Sequence, residues 1–351
     1  MRPYEGMMSE RFQPELLPMS IGSLPHVDPR EARDLILRHF PEVPSWPQLP
    51  KRSFLENMYV QFSEGFPGVV LERDRIYVDR TQDLSADLER LYLAYLENDL
   101  DVHAVSPAYA AGLALLSEAE CNPCKAVKGQ VTGPISWGLT VADQDRRPVL
   151  YDDVLADAVA KHLRLKAVWQ EGELRRLHPT TIMVVDEPYM ASFGSAYVAL
   201  TRDQAVSLME EVLSGLQGLK GVHCCGNTDW SAVLSTSADI LSFDTYDYAE
   251  SLSLYAAEVQ DFLRRGGIIA WGIVPREGQK LAHETAETLV DRLRQAMNLL
   301  VRKGVSLDDL LAASLVTPCC GLGSLSLEDA ERALALTAEV SQEMRRRYVL
   351  S

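Results

Sequence analysis

Residues 181–244 decide the fold: TIMVVDEP (181–188), GVHCC (221–225) and ILSFD (240–244) are short apolar runs, each ending on residues with chemical capability. Runs of this length, rich in Val and Ile and separated by stretches of helical period, are the pattern of parallel strands joined by crossover helices. Outward from them, similar runs lie at 19–23, 57–62 and 126–131 before, and at 267–274 and 314–320 after, which makes eight. Helices are predicted over 85–98, 150–170, 201–216, 253–264, 284–302 and 327–348. The segment 68–78 reads as an inserted hairpin, because Val69–Leu71 and Ile76–Val78 flank the charged turn Glu72, Arg73, Asp74, Arg75. The segment 41–50 (PEVPSWPQLP), with four prolines in ten residues, is expected to be an extended loop.

The ends of these runs choose between two α/β architectures. Ser23, Asp186, His223, Cys225, Asp244 and Cys320 all sit at or just past the C-terminal end of a run, where a barrel assembles its site from the following loops. An open doubly wound sheet usually announces itself by a Gly-rich phosphate loop after its first strand, and no G-x-G-x-x-G or Walker A sequence occurs. The expected fold is therefore an α/β (β/α)8 barrel of one domain over 1–351, decorated by an N-terminal extension (1–17) and the 41–50 loop.

Composition bounds the partners. With 351 residues, 47% of them hydrophobic, the chain can bury a large core. A formal charge of −16 repels nucleic-acid phosphates and anionic lipid at long range. No apolar h-region opens the chain and no run approaches about 18 uninterrupted apolar residues, so the expected location is cytoplasmic, away from membranes. The six cysteines fall in three close pairs, a layout that suits metal or thiol chemistry better than a disulfide framework.

Strand alternation puts His223 and Cys225 on one face, so an H-x-C pair can approach one ion together. Cys320 can add a second sulfur and Asp244 an oxygen, completing the imidazole, thiolate and carboxylate set that zinc favours. Read alone, His223 is more simply a satisfied core residue and each cysteine a small hydrophobe; it is their combination that points to metal. Cys121 and Cys124 form a C-x-x-C pair with no second such pair, in a loop before the third run and away from the expected site, and read as peripheral.

These residues belong to an ordered series that resembles the catalytic half of cobalamin-independent methionine synthase: Ile21-Gly22-Ser23-Leu24-Pro25, the stretch Lys128 to Pro134, Val185-Asp186-Glu187-Pro188, His223 with Cys225, and Cys320-Gly321-Leu322. The resemblance covers most of the chain from about residue 18 to 321, and its specificity lies in the order of the set. It implies a barrel, a zinc ion held by His223, Cys225 and Cys320, and Asp244 standing where the family has glutamate, a shorter side chain and the least secure ligand. It implies that Ser23 lies near the substrate carboxylate and Asp186 near its ammonium, with Glu56 a weaker match for a further acid. The implied reaction is methyl transfer to a thiol, homocysteine giving methionine, with zinc activating the thiol. The large enzymes of the family carry an additional N-terminal half that this sequence does not show, so the expectation is a stand-alone core. Its methyl donor is expected to be a methylcorrinoid such as methylcobalamin, free or on a corrinoid protein, before methyltetrahydrofolate.

The segment His223 to Thr228 also resembles the H-x-C-G-N-T of the uroporphyrinogen decarboxylase superfamily. Two alternatives follow. One is metal-free decarboxylation of a porphyrinogen, for which Arg30, Arg33 and Arg38 are the nearest carboxylate-gripping residues. The other is a non-catalytic zinc or corrinoid-carrier binding protein, which would need a closed, four-donor metal site. Trp137, Trp230 and Trp271 lie near strand ends and read equally as core or cleft, while Pro275-Arg276-Glu277 follows the seventh run at the expected active face.

Overall fold

The computed structural model describes residues 12–119, 121–195 and 198–349. Its strands, in chain order, are β1 (Leu17–Pro18), β2 (Val69–Glu72), β3 (Arg75–Val78), β4 (Val127–Thr132), β5 (Ala142–Asp143), β6 (Thr181–Asp186), β7 (Leu219–Cys224), β8 (Ile240–Asp244), β9 (Ile268–Val274) and β10 (Ser314–Pro318). Seven of them form one parallel sheet in the order β1-β10-β9-β8-β7-β6-β4. The curled sheet is surrounded by helices, as a barrel requires, and the crossover rule for parallel strands is met by the helices between successive members. The expected hairpin forms: β2 and β3 pair antiparallel, and β5 joins β3 to make a small separate sheet.

The second barrel position differs from the expectation. Residues 57–62 are not a strand; they carry the helix Met58–Gln61, following a short helix Phe54–Glu56. The Asn57 side chain accepts from the Tyr59 N–H, and Ser53 does the same for Leu55, so both turns are capped locally. A run of six apolar-alternating residues fits a strand or a buried helical turn equally, and the caps decided it.

The proline-rich segment takes the vacant position instead. Gln48 bridges Ser23 and Ser45 bridges Lys128, both in parallel sense, so this strap spans the gap between the end of β1 and β4. The Lys128 N–H donates to the Pro44 carbonyl, while Gln48 donates to Gly22 and accepts from Leu24. Proline is tolerated there because Pro44 and Pro47 are asked for carbonyls or for nothing, and the donors come from other residues. Trp46 anchors the strap, fully buried, with its indole N–H on Gln170 Oε1 at 2.7 Å.

Two apolar clusters follow from period-two alternation. The inner one fills the barrel with Met19, Ala126, Ile182, Val184, Ile240, Ala270 and Leu315. The outer one packs the opposite strand faces, such as Met183, Val185, Leu241 and Trp271, against the helices. The helix Ala286–Val301 shows why those elements form: Thr285 and Thr288 make a reciprocal cap, and Leu289, Val290, Leu293, Met297 and Leu300 place a buried stripe on one face. The expected helix 253–264 forms over Ala256–Arg264, and a further helix, Thr245–Ser253, precedes it and starts directly from Asp244. Trp137, Trp230 and Trp271 are all buried core. Among the described residues, no helix is long and apolar enough to cross a membrane.

Candidate metal centre and substrate cavity

The strand register places the site. Thr132 pairs with Asp186, Asp186 with His223, and His223 with Ser242, so four polar side chains form one row across β4, β6, β7 and β8 at their C-terminal ends. This row caps the apolar filling of the barrel. Alternation then separates the neighbouring cysteines: Cys224 is fully buried in the outer cluster, its thiol on the Gly226 carbonyl, while Cys225 turns to the site. The same choice is made after β10, where Cys319 is buried with its N–H on Val274 and Cys320 faces the cavity.

A ring nitrogen of His223 and the sulfurs of Cys225 and Cys320 lie within 4.8 Å of one another. His223 Nδ1 is 2.9 Å from Ser242 Oγ, whereas Nε2 is buried with no hydrogen-bond partner among the described residues. An imidazole oriented through one nitrogen, with the other left free beside two thiols, is the arrangement of a metal-ligating histidine. The neighbouring Cys320 side chain holds the Cys225 thiol well below its ordinary range against the opposing effect of burial, with His223 and Arg276 adding to the pull. The Cys225 side chain and burial push Cys320 up. One imidazole and two thiol donors suit zinc with a position left for an incoming ligand.

Asp244 does not join this group. Its Oδ1 accepts from the Asp247 N–H at 3.0 Å, capping the helix that starts beside it. Burial pushes its carboxyl up to about 6, partly relieved by that bond. Asp244 thus stands outside the group of donors within 4.8 Å, with one carboxylate oxygen engaged at a helix terminus whose N–H groups and dipole favour it.

A cavity of about 280 Å3 opens over the group and is lined by Ser23, Glu56, Asp186, His223, Cys225 and Cys320 among others. Every other residue expected at the site therefore reaches it. Asp186 Oδ1 is buried with no partner, and burial pushes its carboxyl up to about 6, with Lys128 and His223 pulling it back. Lys128 lies beneath, held by the Ile21 carbonyl and by Gln130 Oε1, and burial lowers its ammonium to about 8. Glu56 is less free than expected: Arg52 pairs with it at 2.6 Å and the Leu49 N–H donates to it at 3.1 Å. Ser23 Oγ accepts from the Gly323 N–H at 3.3 Å, and its carbonyl accepts from Leu322, tying the β1 end to the turn that carries Cys320. Gly22 is required there, at φ +148°, because a Cβ would come within 2.8 Å of the Gln130 side chain.

Sequence reading missed Ser242 and Gln48. Ser242 lies two residues before Asp244 on the same strand face, a signal that period two made available. Gln48 lines the cavity from the strap, which local pattern had assigned to a loop. Arg30, Arg33 and Arg38 stay away from the cavity; Arg33 pairs with Asp34 and Arg38 with Glu331. Cys121 and Cys124 lie in the loop before β4, half-buried, and neither lines it. A larger groove of about 920 Å3 runs beside the hairpin, lined by Glu64, Asp79 and Asp83, but contains no part of the His223 group. The chemistry therefore belongs to the smaller cavity.

The sequence matches no known family model and no curated protein. The fold is similar to that of a B12-independent methionine synthase from Shewanella sp. W3-18-1 in complex with selenomethionine, with a TM-score of 0.59 and 17% identity, covering 96% of this chain and 100% of that one. It is also similar to a methyltransferase from Methanosarcina mazei, with a TM-score of 0.53 and 11% identity, covering 92% of this chain and 93% of that one. At such identities the likeness establishes a shared fold.

Proposed function

We propose that this chain is a zinc-dependent methyltransferase acting on a thiol, with homocysteine as acceptor and methionine as product. The observation that carries the reading is His223 Nε2, buried and unpartnered beside Cys225 and Cys320. Three protein donors leave one position for a substrate sulfur, which favours a catalytic centre over a closed structural one. The names of the two similar structures, a methionine synthase and a methyltransferase, support the same reaction class. Zinc, when bound, keeps an acceptor thiol deprotonated near neutral pH.

The chain's own residues then bind and orient. Ser242 holds the His223 ring through Nδ1, leaving Nε2 as donor. Asp186, which lines the cavity and whose buried Oδ1 has no partner among the described residues, accepts the acceptor's ammonium. In the transfer, the sulfur forms its bond to the methyl carbon as the donor's bond to that carbon breaks, and the electron pair leaves with the donor. The thiol proton goes to solvent. A methylcorrinoid, free or delivered by a carrier protein, is the first donor to test and methyltetrahydrofolate the second. All six cysteines are free thiols, in keeping with a reducing cytoplasm.

The test is zinc content of wild type and Cys320→Ser, with X-ray absorption at the zinc edge before and after homocysteine. One zinc per chain, lost in the variant and gaining a sulfur neighbour with homocysteine, is the expected result. A wild type that neither contains nor takes up zinc would overturn the proposal.

A further inference from the structure

Arg276 follows β9 and reaches the cavity from the side of Cys320, its Nη1 3.9 Å from Cys320 Sγ. Among the described residues it is the one Lys or Arg side chain lining that cavity, and no carboxylate of them pairs with it within 4.0 Å. The neighbouring cations are already engaged: Arg52 by Glu56, and Lys128 by the Ile21 carbonyl and Gln130. A guanidinium carries five donors in a planar fork that matches carboxylate or sulfonate, and here one weak contact to sulfur leaves that fork nearly unspent.

The opposite side of the cavity is acidic. Asp186, beside His223, offers the unpartnered Oδ1 described above. Ser23, the residue that the sequence resemblance places near a substrate carboxylate, has its hydroxyl packed into the turn after Cys320: it accepts from Gly323, and a Cβ on Gly321 would stand 2.2 Å from it. The serine therefore supports the Cys320 turn, and the free cationic fork nearby is Arg276.

We propose that Arg276 reads the anionic tail of the acceptor, so that the cavity selects small thiols bearing a carboxylate or sulfonate. The inference rests on the thiol-methyltransferase reading. With Asp186 across the cavity, a thiol that also carries an ammonium group meets complementary charge on both sides.

The test is binding of thiols to the cobalt(II)-loaded protein, read from the thiolate-to-cobalt charge-transfer band, which needs no methyl donor. The probes are homocysteine, 3-mercaptopropionate, 2-mercaptoethanesulfonate and neutral 2-mercaptoethanol. Arg276→Gln should weaken the three anionic thiols by about ten- to a hundredfold, the range for a lost charge-assisted hydrogen bond, and leave 2-mercaptoethanol within about twofold. Arg276→Lys should restore part of the loss, a point charge replacing a fork. Retained binding of 2-mercaptoethanol also shows that the variants are folded. Equal weakening of all four thiols would assign Arg276 to balancing the charge of the cysteine ligands and overturn the proposal, as would no weakening. A wild-type spectrum that no thiol alters would overturn the methyltransferase reading itself, and this inference with it.

Discussion

Ser242 is not among the residues lining the cavity, yet its hydroxyl at 2.9 Å from His223 Nδ1 decides which nitrogen is free. Ser242→Ala should lower zinc affinity by about 10- to 100-fold, as other losses of an orienting partner do, with little change in fold stability; chelator competition measures it. Asp186 is separable from the metal because it lines the cavity without belonging to the His223, Cys225 and Cys320 group. Asp186→Asn keeps the shape and removes the charge. It should raise KM for homocysteine by about ten- to a hundredfold while leaving 3-mercaptopropionate, which lacks the ammonium, nearly unchanged. Zinc content should stay at the wild-type value. The inward choice of Cys225 over Cys224 was legible from alternation alone. That Asp244 caps a helix was not, because an aspartate at a strand end reads equally as ligand or as N-cap until the following residues are seen to turn.

At the scale of elements, the strap 42–48 is the informative case. A proline-dense segment reads as a loop because proline cannot donate to a ladder, and that reading is correct about its backbone. What local pattern does not reveal is that β1 and β4 would leave a gap wide enough for one more chain, and that the strap would fill it through Ser45 and Gln48. Trp46 holds it there. Trp46→Ala should cost about 3–5 kcal/mol, the range for emptying a large aromatic site. Its signature is local: the Lys128 amide, which donates to Pro44, should lose hydrogen-exchange protection before the amides of β7 and β8 do. Equal loss across the sheet would mean that the strap is not a separate element of closure.

For the molecule as a whole, the pH response of stability carries a contribution far from the site. His103 and His162 are buried in edge contact, ring centroids 5.2 Å apart, with Lys166 nearby. Burial, with Lys166 second, lowers His103 to about 4 and holds His162 well below the ordinary 6.5. Both rings stay neutral in the fold while the unfolded chain takes up protons as pH falls through about 6.5. Below that pH the unfolded state binds more protons, so stability declines, by up to about 1.4 kcal/mol per pH unit for each ring, down to about 4 for His103. Denaturant unfolding at pH 7 and pH 5 tests this. His103→Asn should shrink the difference between the two pH values, and an unchanged difference would remove these rings from the account.

The sequence by itself determined the class of fold and which strand-end residues would line one cavity, because both depend on short-range periodicity. Period two marks which residues of 181–186, 219–224 and 240–244 face inward, and a barrel gathers the C-terminal ends of its strands at one face. Tertiary structure alone decided what depends on gaps, neighbours and competing partners: that the proline strap and not residues 57–62 fills the second position, that Asp244 and Glu56 are already engaged, and that Arg276 has, among the described residues, no carboxylate partner. The physical reason is that a side chain's chemical role is set by which groups satisfy it first, and those groups come from segments tens to hundreds of residues away.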